Sequence, residues 1–67
     1  MRKIKLRMAI YSHLSDTQTM IYIDDKKNAN LRINFVKMLV DKLDEGIDEM
    51  EEDELNSLWK ECYEKYS

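Results

Sequence analysis

Large aliphatic residues recur at every second position from Lys3 to Tyr11, KIKLRMAIY. Ile4, Leu6, Met8 and Ile10 fall on one side of a two-residue period, and Lys3, Lys5, Arg7, Ala9 and Tyr11 on the other. That is the pattern of a half-buried strand. Ser12 to Gln18 is polar and rich in turn-compatible residues, and places His13 in a loop. Thr19 to Asp24, TMIYID, is β-branched and aromatic and suits a second strand. Strands over about 3–11 and 19–24 therefore predict an antiparallel hairpin with a loop longer than the minimum.

Asp25 to Asn30 interrupts the apolar pattern and reads as a connection. Leu31, Ile33 and Phe35 alternate, which leaves a third strand open for 31–35. From Val36 the spacing becomes Val36, Leu39, Val40, Leu43, the rhythm of an amphipathic helix. With Asn30 as its N-cap, a helix over about 31–45 is the preferred reading, and Arg32 then falls beside the apolar stripe. Gly46, the one glycine, follows directly and fits a left-handed helix stop, with Ile47 folding back near Leu43. Asp48 and Glu51 have the spacing of a capping box. Glu49, Glu51, Glu52, Asp53 and Glu54 crowd the first turns of a second helix over about 49–66, where the helix dipole favours negative charge. Its apolar stripe is Leu55, Leu58, Trp59, Cys62 and Tyr66, with Tyr63 at the border.

The predicted fold class is α+β: an N-terminal β-hairpin packed in two layers against a C-terminal helical hairpin, in the order ββαα, as one domain over residues 1–67. A chain of 67 residues buries a thin core, so pairing with a second copy is expected, with an open strand edge extending the sheet into a homodimer. No stretch reaches the roughly 18 apolar residues of a membrane span, and the basic start is followed by no apolar run of the signal-peptide kind. The expectation is a cytoplasmic protein that makes no use of a membrane.

Charge changes the picture more than composition does. Residues 1–40 hold eight Lys/Arg and three Asp/Glu, a net of +5, and residues 41–67 hold three and eleven, a net of −8. The overall −3 thus conceals a bipolar chain. Such a division points to partners, although a basic strand and an acidic helix attracting one another internally is the more economical explanation.

Candidate chemistry is sparse. His13 is flanked by Ser12, Ser15 and Asp16, but neighbours in a polar loop do not supply the supported geometry of a catalytic triad. Cys62 lies at the centre of a helical stripe, where a thiol behaves as a small hydrophobe. The acidic run from Asp48 to Glu54 lacks the interleaved glycine turn of a calcium loop. A single cysteine excludes an intramolecular disulfide and any multi-cysteine zinc site, and a lone glycine offers no phosphate cradle. Neither an enzyme nor a cofactor or metal is expected.

Two surfaces remain. With the apolar stripe of the last helix inward, Asp53, Glu54, Glu61 and Glu64 gather on its outer side, broken by Ser57 and Lys60. Carboxylates on a rigid helix can imitate nucleic-acid phosphates and occupy another protein's groove. On the strand side, Lys3, Lys5 and Arg7, with Tyr22 beside them, combine phosphate attraction with base stacking. The first surface implies a small protein-binding regulator or inhibitor. Chains of this size and acidity are common among phage-borne inhibitors of host enzymes and defence proteins, an association rather than a deduction. The second implies a nucleic-acid-binding regulator, against which a pI near 5.0 weighs.

Overall fold

The computed structural model describes residues 2–66. A short strand β1 (Lys3–Lys5) leads into helix α1 (Leu6–Tyr22), which is followed by helix α2 (Lys26–Asp44), strand β2 (Glu49–Glu51) and helix α3 (Glu52–Tyr66). The protein combines a small two-stranded antiparallel sheet with three helices that hold 78% of the described residues. The order is βααβα in place of the expected ββαα.

The hairpin of strands over 3–11 and 19–24 does not form, because only 3–5 is extended, 6–11 and 19–22 belong to α1, and Ile23 and Asp24 lie in the turn that follows. A second period explains why. Leu6, Ala9, Ile10, His13, Thr17 and Met20 recur at helical spacing, and these are the buried or half-buried positions of the segment, whereas Met8 is 66% exposed. Two of the six are polar, which masks the stripe in the sequence. Thr17 is buried and donates its hydroxyl to the His13 carbonyl one turn earlier at 2.7 Å, so the helix itself satisfies the hydroxyl.

The turn between α1 and α2 is a consecutive stop and start. Asp24 adopts the left-handed conformation, φ 62°. Its N–H donates to the Ile21 carbonyl, and the Asp25 N–H donates to the Met20 carbonyl at 2.7 Å, the paired bonds of a Schellman stop. Asp25 then caps α2: its carboxylate accepts from the Asn28 N–H at 3.3 Å and from the Asn28 side-chain amide at 2.6 Å. These bonds hold the Asp25 carboxyl below its ordinary range. The cap is therefore Asp25 rather than Asn30, and α2 begins at Lys26, so Leu31, Ile33 and Phe35 are helical.

Gly46 ends α2 as expected. At φ 88° its N–H donates to the Leu43 carbonyl and the Ile47 N–H to the Lys42 carbonyl, with Ile47 and Leu43 both packed on the core. The reversed chain then meets the N-terminus. Lys3 stands opposite Glu51, Ile4 opposite Met50 and Lys5 opposite Glu49. The ladder is extended by Leu6 N–H to the Asp48 carbonyl and Glu52 N–H to the Arg2 carbonyl, each 2.9 Å. Residues 49–51 are thus strand rather than the start of the last helix. The reciprocal cap lies three residues later than the Asp48–Glu51 spacing implied, with the Glu54 carboxylate accepting from the Glu51 N–H at 3.3 Å.

Leu6, Leu31, Phe35, Leu39, Leu55 and Cys62 form the buried core, drawing on all three helices. Ile4 and Met50 pack against it from the sheet. The Cys62 thiol is fully buried and faces the Leu31 carbonyl at 3.7 Å. Burial, reinforced by the Glu61 charge and opposed by Lys65, raises its pKa, so it stays a neutral thiol. Tyr66, expected in the apolar stripe, is instead 45% exposed.

Candidate functional site

Three helices bring together residues far apart in the chain. His13 on α1, Phe35 on α2 and Trp59 on α3 form an aromatic triangle. The imidazole meets Phe35 edge-on with centroids 4.7 Å apart and stacks on Trp59 at 5.3 Å, while Phe35 meets Trp59 edge-on at 5.1 Å. His13 is therefore a half-buried helical residue and not part of a polar loop. Arg32, awkward beside an apolar stripe, closes the group. Its guanidinium lies over the Trp59 ring at 5.4 Å, and its Nη1 is 3.3 Å from both His13 Nδ1 and Asp16 Oδ2.

This arrangement assigns the imidazole's protonation. A guanidinium only donates, so Nδ1 accepts and the ring proton sits on Nε2. Burial and the adjacent Arg32 charge both lower the His13 pKa, and Asp16 opposes them. The neutral form is the one that fits. Arg32 Nε is buried with no hydrogen-bond partner.

Beside the triangle lies an open cavity of about 500 Å³. Ile4, Met8 and Leu55 contribute apolar walls, and Ser12, His13, Arg32 and Asn56 contribute polar groups. None of these was singled out by the sequence as a joint site. The only signal available was the placement of His13 and Arg32 at core positions of helical patterns.

The acidic candidates behave as a set. Asp53, Glu54, Glu61 and Glu64 are all exposed on α3. At 3.6 residues per turn they span an arc of about 100°, with Ser57 inside it and Lys60 and Lys65 at its borders. Asp53, Glu54 and Glu61 share a shallow surface depression with Lys42 of α2. The basic candidates are not brought together. Lys3 and Lys5 lie on β1 opposite Glu51 and Glu49, Arg7 is exposed in the first turn of α1, and Tyr22 is 91% exposed in its last turn. Fifteen residues of helix put Tyr22 about 22 Å from Arg7. Part of the charge division is therefore internal, with a basic strand against an acidic strand.

Among the described residues no helix is long and apolar enough to cross a membrane, and no group of three His, Cys, Asp or Glu side chains is gathered as metal ligands. No family model, curated protein or solved structure matches this chain.

Proposed function

We propose that this protein is a small non-enzymatic regulator or inhibitor that binds another protein and occludes part of its surface, using the outer face of α3. The observation that carries this reading is the exposed arc of Asp53, Glu54, Glu61 and Glu64, with only Ser57 among them, on a helix anchored through Leu55 and Cys62. Among the described residues the ion pairs are Arg2–Glu52 and Arg32–Asp16, so none of the four carboxylates is tied up in a salt bridge, and only Glu54 has an internal partner, the Glu51 N–H. Carboxylates on a rigid helix lose little freedom on docking and offer a regular negative potential to a basic groove. A groove built for nucleic acid has that complementary potential, so mimicry of a phosphate backbone is the proposed mode. A phage-borne inhibitor acting on a cytoplasmic host enzyme or defence protein is the setting that size and acidity favour.

Self-association belongs to the same proposal. The core is small, and α1 leaves Met8, Tyr11, Leu14, Ile21 and Tyr22 largely in solvent. Pairing through helices is favoured over sheet extension, because three-residue strands offer only a short edge. Sedimentation at micromolar concentration tests this, and a stable 8.1 kDa monomer would reject it.

Affinity capture from the native host, read by mass spectrometry, tests the main reading. One dominant protein partner is expected, with capture lost on combining Glu61→Lys and Glu64→Lys, which leave the Glu54 cap intact, while circular dichroism stays unchanged. Unchanged capture by the charge-reversed bait rejects the acidic face. Salt-sensitive binding to DNA or RNA that falls with Lys5→Glu and Arg7→Glu would replace this reading with nucleic-acid binding.

A further inference from the structure

Arg32 is fixed in place but incompletely used. Nη1 is committed to His13 and Asp16, and the guanidinium plane is held over Trp59, whereas Nε has no partner. The fork of parallel N–H bonds that Nε forms with the second amino nitrogen is the edge on which arginine grips a carboxylate. An orphaned buried donor costs free energy in the unliganded protein, which a bound acceptor recovers once the guanidinium tilts slightly from under its cover. The adjoining cavity, about 500 Å³, is of the size that takes a small organic ligand. Its polar lining is made of Ser12, His13, Arg32 and Asn56, and no carboxylate lines it, although the chain has more acidic than basic residues.

We propose that the cavity between the three helices is a binding site for a carboxylate carried on an apolar body, with Arg32 taking the carboxylate and Trp59, Ile4 and Leu55 covering the body. The chemistry is shared by two sources, a free small acid and the C-terminal residue of a peptide. The site is separate from the acidic arc of α3, so it stands or falls independently of the capture experiment above.

Trp59 is the only tryptophan, and its fluorescence reports on the cavity directly. The wild-type protein is titrated with 3-phenylpropanoate and with the uncharged 3-phenylpropanamide. A saturable change with the acid is expected, and binding of the amide weaker by about tenfold or more. Arg32→Gln should remove the difference between the two. Because Arg32 also holds His13 and Asp16, Asn56→Asp at the exposed rim serves as the second variant. It should weaken the acid by about tenfold through like-charge repulsion and leave the amide unchanged. A peptide ending in a free phenylalanine carboxylate, compared with its C-terminal amide, distinguishes the sources. Tighter binding of the free-carboxylate peptide than of 3-phenylpropanoate assigns the site to chain termini, and weaker binding assigns it to small acids. No saturable response to the acid up to about 10 mM, equal affinity for acid and amide, or a folded Asn56→Asp variant with undiminished acid binding would each overturn the proposal.

Discussion

Arg32 Nη1 stands 3.3 Å from His13 Nδ1, and this contact adds to burial in favouring the neutral form of the only histidine. The donor cannot accept and the ring cannot offer Nδ1–H, so folding selects neutral imidazole. Two residues that each look misplaced on an apolar face account for one another.

A pH dependence follows. The folded-state pKa of His13 lies below its ordinary value of 6.5, so between the two values the unfolded chain binds more protons. Stability from this group is complete above 6.5 and is lost as pH falls from there through the folded-state pKa. Urea melts across that interval should show falling stability for the wild type and a flatter profile for His13→Phe, which keeps the ring but not the titration. Parallel profiles would contradict the assignment. Asp25 acts in a different window. Its pKa is lowered, so its contribution is present above 3.8 and fades as pH drops through the folded-state value.

The two helix stops should respond oppositely to exchange of side chains. Gly46 has φ 88° and open space where a Cβ would lie, so Gly46→Ala carries only backbone strain and should destabilise by about 1 kcal/mol. Asp24 occupies the same left-handed region with a side chain present, so Asp24→Gly should be neutral to stabilising, by up to about 1 kcal/mol. Chemical denaturation of both variants checks the pair, and a shared sign would refute the comparison.

Core truncation should be severe. Phe35 and Leu39 are at most 2% exposed. Leu39→Ala is expected to cost about 2–5 kcal/mol and Phe35→Ala about 3–5. A domain of this size has about 3–10 kcal/mol in total. At least one variant should therefore be largely unfolded at room temperature by circular dichroism, and two well-folded variants would show that the core lies elsewhere.

The strand pairing makes the internal part of the charge division measurable. Lys5 faces Glu49 across the ladder. Lys5→Glu alone places like charges opposite one another and should destabilise, and adding Glu49→Lys should restore the loss. A double-mutant cycle should return a coupling of about 0.2–1 kcal/mol, falling with salt. Zero coupling at low salt would mean that the register contributes no charge pairing.

Local signals carried much of the architecture. The stripe through Leu55 and Cys62, the acidic first turn of α3 and the Gly46 stop are written in adjacent residues, and helix and turn geometry translates them directly. The stretch before them was misleading for an equally physical reason. Ile4 to Ile10 satisfies a two-residue period over seven positions, too few to outweigh a helical stripe that runs through His13 and Thr17. Hydropathy does not register a hydroxyl satisfied by its own helix or an imidazole packed between Phe35 and Trp59.

The sequence by itself determined the charge division, the helix stop at Gly46 and the Leu55–Cys62 apolar face of α3. Only the tertiary structure decided that β1 pairs with a strand more than forty residues away, so that Lys3 and Lys5 meet Glu51 and Glu49. It alone decided that Arg32 reaches His13 and Trp59. The reason is range: caps and periods are set by neighbours a few bonds apart, whereas a strand partner or a guanidinium's acceptor is chosen by how whole helices pack.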